Sequence, residues 1–507
     1  MDMKNTDMVP LVADKGRRLT VFVFLLTAMF MATLDNQIVS TALPTIVSEF
    51  GEMERFGWVG SAYLLATSAV MPVYGKLGDL FGRKYVMIAA ILIFVAGSLA
   101  CGIAPSMDML IAARVLQGLG GGGIMVSIFS INADLFEPRE RARYQSYSSL
   151  VIMASGATGP ILGGTISDLF GWRAIFLVNL PIGIAVVTAL MLLLPYRRPH
   201  RQPKIDYAGA VLLAAFVSSV VLWTDSVSIF GSLAAPEALA ILAAGFICLL
   251  LWVQVERRAA EPIMPVYLFR DPAFPLLLTV SVMSGALGIG LVNYFALFLQ
   301  TTTGLPPARA GAFFIPLTGG IVLGSLFAGR MISKTGRYRT FSIVGLSLAI
   351  CVFIAFTQVT PQTPLALVAL LFALHGIGVG LGQQVPITGV QNAVPKRDVG
   401  AATGSVTLTR MSGAAVGISI YGAIVAYGVG HHTAAIPGVE NPAALSPADL
   451  AALPEAARAA VASAYSAAFL PLFITCIGIA AIGLVAALLL KPVPLPVAAR
   501  GKAEDAA

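Results

Sequence analysis

The segment Gly75-Lys-Leu-Gly-Asp-Leu-Phe-Gly-Arg-Lys84 connects two long apolar stretches, and a similar segment recurs as Gly329-Arg-Met-Ile-Ser-Lys-Thr-Gly-Arg337. In both segments one glycine stands seven residues before a Gly-Arg pair. Glycine permits the tight turns and close helix contacts that a short connection between packed helices requires. The recurrence therefore predicts two related helical units in one chain, with chance similarity of two basic hairpins as the alternative.

The composition is that of a membrane protein. Of 507 residues, 57% are hydrophobic and 11% are charged, and the mean hydropathy is +0.86, whereas soluble domains carry roughly 25% charged residues. Spanning helices also tolerate the 50 Gly and 30 Pro residues found here, because small residues allow close packing and neighbouring helices satisfy freed backbone groups. The net charge of +7 does not indicate a nucleic-acid partner, since the basic residues form short clusters between apolar stretches.

The apolar stretches have the length of transmembrane helices, which is about 20 residues. We predict an all-α integral membrane protein with about fourteen spans, at 19–43, 57–78, 85–104, 107–131, 144–168, 173–195, 207–226, 237–256, 274–299, 308–333, 338–358, 364–392, 401–428 and 467–490. With these spans, 26 of the 32 Lys and Arg residues fall on the side that holds both termini, called here the basic side. Four fall on the opposite side, and Arg114 and Arg410 lie within spans. Cytoplasmic loops carry the excess of Lys and Arg, so both termini are predicted to be cytoplasmic.

The hairpin repeat divides the predicted spans into six, two and six. We expect an N-terminal six-helix bundle at 1–195, a linker with two additional transmembrane helices at 196–270, and a C-terminal six-helix bundle at 271–507. Repeated halves with a binding site between them are a common plan of transporters.

Further motifs in the first half make the chain resemble the major facilitator superfamily, and within it the fourteen-span drug:proton antiporter family. These motifs are the first hairpin, Leu34-Asp-Asn-Gln-Ile-Val-Ser-Thr-Ala-Leu-Pro44, Arg114-Val-Leu-Gln-Gly118, Gly156-Ala-Thr-Gly-Pro-Ile-Leu-Gly-Gly164 and Trp172-Arg-Ala-Ile-Phe-Leu-Val-Asn-Leu-Pro-Ile-Gly183. The second hairpin departs from the pattern, because Ser333 stands where Asp79 would align. The resemblance implies the two-bundle fold and proton-coupled export.

Asp35 is the candidate proton carrier. It lies about 16 residues into the first span, and an acid at such depth is costly unless it is paired, hydrated or protonated. Arg114 in the fourth span lies at a similar depth, ~10–12 Å below the opposite surface at 1.5 Å per residue. The resemblance also implies a role for Arg114 in proton coupling. A fixed structural ion pair is the alternative for Asp35, and an Arg that only satisfies carbonyl groups is the alternative for Arg114.

Two glycine-rich segments are candidates for conformational roles. By resemblance, the first hairpin is a gate whose acid docks on the other half and stabilises the outward-facing state, with a plain topogenic loop as the alternative; its residues are Gly75, Lys76, Gly78, Asp79, Gly82, Arg83 and Lys84. The fifth span carries the antiporter motif, in which we expect a proline bend and a flat face that prevents leakage, or only tight packing; its residues are Gly156, Gly159, Pro160, Gly163 and Gly164.

Polar and aromatic residues within spans are candidates for a substrate cavity. They are Asn36, Gln37, Tyr63, Thr67, Gln117, Asn293, Tyr294, His375, Gln383, Gln384 and Arg410. The tenth and thirteenth spans contain no acid, so Asp35 is the one deep acid of the two predicted bundles.

These features predict a proton-coupled antiporter in the bacterial inner membrane, monomeric and without cofactor or metal. Its expected partners are protons, the lipid bilayer and small amphipathic drugs, cationic or neutral. The alternatives are a dedicated exporter of one metabolite or toxin, and a non-transporting membrane receptor or sensor. The chain has no phosphate-binding glycine loop and no His-Glu-x-x-His motif, which argues against an ATP-driven pump or an enzyme.

Overall fold

The fold was determined from a computed structural model. It describes residues 11–50, 56–197, 206–224, 226, 230, 232, 234–259, 261–305, 307–433, 454–491 and 495. Within these ranges the regular structure is helical, with no β-strand. Seven helices form the first part of the chain: α1 (Lys15–Phe50), α2 (Phe56–Phe81), α3 (Arg83–Gly102), α4 (Met107–Leu135), α5 (Pro138–Phe170), α6 (Ala174–Leu177) and α7 (Asn179–Leu193).

Two helices, α8 (Tyr207–Thr224) and α9 (Pro236–Glu256), occupy the predicted linker, and a 3-10 turn at Val266–Arg270 follows them. The remaining helices are α10 (Ala273–Gly288), α11 (Val292–Thr301), α12 (Pro307–Ala312), α13 (Phe314–Thr335), α14 (Arg339–Phe356), α15 (Leu365–Gln383), α16 (Val385–Ala393), α17 (Val399–Thr433) and α18 (Glu455–Leu489). A second 3-10 turn, Lys396–Asp398, leads into α17.

Among the described residues, ten helices are long and apolar enough to cross a membrane. Two shorter apolar helices, Tyr207–Trp223 and Ala273–Gly288, coincide with further predicted spans. The two predicted spans that remain fall on α2 and α5, which are long but carry more polar residues. The chain is therefore a multi-pass membrane protein, and the count of fourteen spans stays a prediction.

Two helix pairs make the most extensive contacts between the first and last parts of the chain. The helix α2 packs along α17, and α5 packs along α13. The two linker helices pack on each other, and α8 also lies against both α2 and α17. The additional helices thus cover one of the two seams between the bundles.

The hydrophobic clusters show where the two bundles meet. One cluster near the opposite side contains only N-terminal residues, such as Val59 and Trp172. A larger cluster, which includes Phe295 and Phe473, contains only C-terminal residues. On the basic side, by contrast, one cluster joins Phe22 and Phe136 to Leu277 and other C-terminal residues. The bundles therefore share apolar packing on the basic side.

Candidate functional site

Asp35 and Arg114 form an ion pair inside the N-terminal bundle. The Nη1 atom of Arg114 lies 2.7 Å from Oδ2 of Asp35, and the two residues are 0% and 1% exposed, Arg114 being the more enclosed. A salt bridge removed from water in this way is retained only when its geometry is good and its other lone pairs are also satisfied. The predicted depth match is thus realised as direct contact between α1 and α4.

Neutral side chains satisfy the other carboxylate oxygen of Asp35. The amides of Gln117 and Asn179 each donate to Oδ1, at 2.9 and 2.8 Å. The same two amides also donate to Oγ of Ser98, at 2.7 and 3.2 Å. Four helices, α1, α3, α4 and α7, therefore meet at one carboxyl group.

Arg114 has further contacts of its own. Its Nη1 also donates to Oε1 of Gln117 at 2.6 Å, and its Nε donates to the carbonyl oxygen of Val59 at 3.1 Å. The guanidinium lies 4.3 Å from the ring centroid of Tyr63, a cation–π arrangement. Its Nη2 is buried without an acceptor in the described part of the chain. The Nη2 group of Arg114 is thus an unused donor in a network in which both oxygens of Asp35 already accept hydrogen bonds.

Two members of this network escaped the sequence analysis. Asn179 lies within the quoted motif that begins at Trp172, yet no spacing rule assigns its amide to Asp35, which is 144 positions away. Ser98 has no signal at all, because a serine in an apolar helix commonly bonds to its own backbone. Both are buried.

The gate candidate docks across the seam between α2 and α17. The carboxylate of Asp79 accepts hydrogen bonds from the backbone N–H of Gly400, at 2.9 Å, and of Ala401, at 3.1 Å. These N–H groups belong to the first turn of α17, where no intrahelical acceptor exists and where the helix dipole favours a negative charge. Asp79 therefore caps a helix of the other bundle.

Glycines at this point allow the two helices to touch. A Cβ added at Gly75 would overlap the carbonyl oxygen of Gly400, and one added at Gly400 would overlap that of Gly75. Gly82 has a φ of +92°, which glycine adopts without strain, and it ends α2. A Cβ at Gly78 would be 3.5 Å from Arg83, an ordinary contact. The backbone approach therefore depends on Gly75 and Gly400.

The basic residues of the hairpin have different partners. Arg83 bridges two acids, with 3.2 Å from its Nη2 to Asp79 and 2.8 Å from its Nη1 to Asp134, and it also donates to the carbonyl oxygen of Ser130. Lys84 donates to the carbonyl oxygen of Met191 at 2.7 Å. These contacts hold the hairpin against α4 and α7 of its own bundle.

Lys76 connects the hairpin to the segment after the linker helices. Its Nζ lies 2.8 Å from Oε2 of Glu261, and both side chains are largely buried. Glu256, five residues earlier, accepts hydrogen bonds from the N–H groups of Ile263 and Met264 and so shapes this segment. Glu261 carries no sequence signal of its own, because acids are common in the loops that follow helices.

The second hairpin makes different contacts. A Cβ added at Gly329 would lie 2.6 Å from the side chain of Ser146 and 2.8 Å from the carbonyl oxygen of Ala142, so α13 and α5 also approach closely. Gly336, with a φ of +72°, ends α13. No side chain caps the N-terminus of α5. The helix contact is thus repeated, but the carboxylate cap is not.

The antiporter motif lies where α5 crosses α1. A Cβ added at Gly159 would overlap the side chain of Gln37, and one at Gly156 would be 4.0 Å from its amide nitrogen. Nothing lies within 4 Å of a Cβ at Gly164. The helix α5 is continuous from Pro138 to Phe170, through the stretch that includes Pro160 and Gly163. The close crossing therefore occurs two residues from Asp35.

The predicted cavity residues of the N-terminal bundle require correction. Tyr63, Thr67 and Gln117 are buried: Tyr63 contacts Arg114, Thr67 donates to the carbonyl oxygen of Gly118 at 3.1 Å, and Gln117 bonds to Asp35. They pack inside the bundle because α2 lies close to the glycine-rich face of α4. Asn36 is half-buried and Gln37 is exposed, so these two keep an accessible position.

The C-terminal candidates are divided in the same way. His375 is buried between the rings of Phe295 and Phe353, and its Nε2 lies 3.1 Å from the carbonyl oxygen of Leu287, so it belongs to the core and not to a cavity. The hydroxyl of Tyr294 donates to the carbonyl oxygen of Ile418 at 2.7 Å. The side chain of Asn293 lies outside the described residues.

A polar network joins the two bundles on the basic side. The amide of Gln145 donates to Gln391 at 3.0 Å and accepts from the hydroxyl of Thr388 at 3.0 Å. Nearby, Ser149 donates to Ser325 at 2.7 Å. The cavity candidates at positions 383 and 384 lie beside it: Ser149 donates to Gln383 at 3.4 Å, whereas Oε1 of Gln384 is buried without a donor in the described residues. Of the residues in this network, only Gln383 and Gln384 were predicted as functional candidates. The others are single polar residues in separate helices, and nothing in the sequence indicates that they contact one another.

Arg410 is a buried arginine along α17 with no acid nearby among the described residues. Arg141 is also buried with an Nε that lacks an acceptor, but it lies in the first turn of α5 near Asp134. Arg410 is 8% exposed, and its Nε is buried without an acceptor. The described part of the chain offers its guanidinium no ion pair and no hydrogen bond. Arg410 was a cavity candidate from its sequence position alone, whereas the lack of a partner depends on how the helices pack around it.

The structure consists of two helical bundles that meet at seams. One bundle encloses an ion pair, and a carboxylate caps a helix across the seam on the basic side. These features are those of a membrane transporter of the two-bundle class. The Major Facilitator Superfamily model matches residues 25–418, and the chain belongs to this family. Members of the family are transporters and not enzymes.

Relatives and solved structures agree with this assignment. The chain is 33% identical to an MFS-type transporter of Mycobacterium tuberculosis over 94% of this chain and 70% of that protein. It is 30% identical to multidrug resistance protein 3 of Bacillus subtilis over 79% of this chain and 78% of the relative. The proton:xylose symporter XylE has a similar fold, with a TM-score of 0.59, 14% identity and coverage of 95% and 98% of the two chains. The human organic anion transporter MFSD10 is similar as well, with a TM-score of 0.64, 14% identity and coverage of 91% and 99%.

Proposed function

We propose that this protein is a fourteen-span antiporter that exports small amphipathic molecules in exchange for protons. The observation that carries the proposal is the enclosed pair of Asp35 and Arg114. An ionisable residue within the membrane marks an ion or substrate pathway more often than a structural contact. The similarity to efflux proteins such as multidrug resistance protein 3 supports the direction of transport.

The proton would bind to Asp35. In this structure its carboxylate accepts hydrogen bonds from Arg114, Gln117 and Asn179. Protonation would remove the attraction to Arg114 and free its guanidinium. Because Asp35 in α1 and its partners in α4 and α7 form one network with Ser98 of α3, a change at this carboxyl group would alter how those four helices pack.

Proton binding would then be coupled to the seams between the bundles. The basic side is closed by Asp79 on α17 and by the network of Gln145, so we assign this structure to the outward-facing state, with the basic side cytoplasmic. The crossing of α1 and α5 at Gly159 would transmit the change from Asp35 to the α5–α13 seam. Export requires these basic-side contacts to open for substrate entry.

The proposal is tested by Asp35→Asn in proteoliposomes with an imposed pH gradient. The amide keeps the shape of the side chain but cannot carry a proton, so we expect pH-driven export of a dye panel to fall at least tenfold. Efflux down a substrate gradient should persist. Full pH-dependent transport by the mutant would refute the assignment of Asp35.

A matched control removes an acid away from the pair. Glu49 is exposed and bonds to Trp172 and Arg173 at the opposite surface, so Glu49→Gln should transport as the unaltered protein does. The dye panel also separates multidrug export from the alternative of a dedicated exporter. Extrusion of several unrelated compounds supports the first, and extrusion of none supports the second.

A further inference from the structure

Arg410 lies deep in the helix that stands between the bundles. It is 11 positions after Val399, the first residue of α17, which is ~16 Å along a helix axis. At Gly404, α17 contacts Met71 and Pro72 of α2, and at Arg410 itself its backbone passes so close to α10 that a Cβ on Gly285 would overlap the Arg410 carbonyl. The residue therefore sits at mid-depth, on the helix of the central seam.

None of the acids in the described residues is placed to neutralise this cation. The helices that pack on α17 are α2, α4, α8, α10, α16 and α18. Their acids stand only near their ends: Asp79 in α2, Asp108 and Asp134 in α4, and Glu455 in α18. Asp79 is engaged with Gly400 and Ala401, ~15 Å below Arg410 at 1.5 Å per residue.

An arginine in this position carries an unfavourable desolvation energy. A buried charge is normally paired, and the guanidinium presents donors in a planar fork that matches carboxylate, sulfonate and phosphate oxygens. Arg114, at a comparable degree of burial, has the carboxylate of Asp35. The donors of Arg410 that the protein leaves unused are therefore available to a ligand that enters between the bundles.

We propose that Arg410 binds the anionic group of the transported molecule, so that the substrates are small amphipathic organic anions. This inference rests on the proposed export function and names its substrate class. It replaces the expectation of cationic substrates, because a cation near Arg410 would meet a like charge and the helices that pack on α17 carry no acid near the depth of Arg410. Charge-assisted, bidentate contacts give such a site its selectivity.

The test uses three dansyl compounds that share one fluorophore and differ in charge. Dansylglycine is an anion, dansylglycinamide is neutral and dansylcadaverine is a cation. Binding to the purified full-length protein is measured by dansyl fluorescence, for the unaltered chain, Arg410→Gln and Arg410→Lys. The control Arg309→Gln removes an exposed arginine of α12 in the same half of the chain.

We expect the unaltered protein to bind dansylglycine at least tenfold more tightly than dansylglycinamide, and dansylcadaverine most weakly. Arg410→Gln should abolish the preference for the anion, Arg410→Lys should keep most of it, and Arg309→Gln should keep all of it. Equal binding of the three compounds by the unaltered protein would overturn the proposal. So would an undiminished anion preference in Arg410→Gln, and the lysine variant decides the matter if the glutamine variant fails to fold.

Asp35→Asn separates this inference from the proposed function. If Arg410 binds the anion, the preference should survive in that variant, whether or not pH-driven transport is lost. Loss of the pH response with a retained preference supports both proposals. A retained pH response with the preference abolished by Arg410→Gln contradicts proton transfer at Asp35 alone.

Discussion

Arg114 and Arg410 are buried arginines in the two halves of one transporter, and their surroundings are opposite. Arg114 donates to Asp35, Gln117 and the carbonyl oxygen of Val59, whereas Arg410 has no partner among the described residues. Breaking a buried pair is strongly destabilising, but an unpaired buried charge is itself a source of instability. Arg114 therefore belongs to an internal network of the N-terminal bundle, whereas the guanidinium of Arg410 has hydrogen-bond donors that no described residue uses.

The two hairpins differ in the same direction. Asp79 of the first caps α17 of the opposite bundle, but the second has Ser333 at the aligned position and α5 begins without a side-chain cap. The two hairpins therefore share the close helix contact at a glycine, but only the first carries the acid that caps a helix of the other bundle. Both the proposed proton site and the proposed gate lie in the N-terminal half, and the proposed substrate contact lies in the C-terminal half.

The largest expected effect is an opposite response of the two arginines to the same substitution. Arg114→Gln leaves Asp35 without its cation and should destabilise the protein by about 3–5 kcal/mol. Arg410→Gln removes a cation with no partner and should raise the free energy of unfolding by about 1–3 kcal/mol. Thermal unfolding in one detergent measures both, and a lower melting temperature for Arg410→Gln would contradict its isolation.

An intermediate effect is expected at the hairpins, where the amide protons of α17 report directly on the cap. Asp79→Ala removes the acceptor of two N–H groups and should weaken the seam by about 1–3 kcal/mol. Hydrogen–deuterium exchange at residues 399–404 should accelerate accordingly. Ser333→Asp should stabilise the first turn of α5 by about 0.3–1 kcal/mol if the acid acts on the helix dipole. Hydrogen–deuterium exchange at the start of α5 should slow accordingly. Unchanged exchange at 399–404 in the alanine variant would show that Asp79 does not hold the seam.

The smallest expected effect concerns the neutral contacts between the bundles. Gln145→Ala deletes hydrogen bonds to Gln391 and Thr388 and should reduce stability by about 1 kcal/mol. Among the described residues, the side chain of the exposed Gln358 bonds to its neighbour Thr357 and to no other residue, so Gln358→Ala is the matched control. If the two variants unfold at the same temperature, the network contributes nothing to closure of the basic side.

The motifs predicted the helical membrane fold and its seams because each rests on a local rule. Apolar length predicted the spans, and the depth of Asp35 and Arg114 along their helices predicted a possible pair, which the structure places 2.7 Å apart. The repeated glycines predicted close helix contact at both hairpins, and it occurs at Gly75 and Gly329. The cavity residues were predicted less well, since depth along a helix does not give the direction of a side chain.

By itself, the sequence determined that the chain lies in a membrane and where its charges stand along each helix, because hydrophobic length and helical rise are properties of single segments. Only the tertiary structure decided which of those charges are neutralised. Asn179 reaches Asp35 across 144 positions, and Gln391 reaches Gln145 across 246, while no acid in the described part of the chain reaches Arg410. Such pairings depend on how helices rotate and pack against one another, and no spacing within one segment records that rotation.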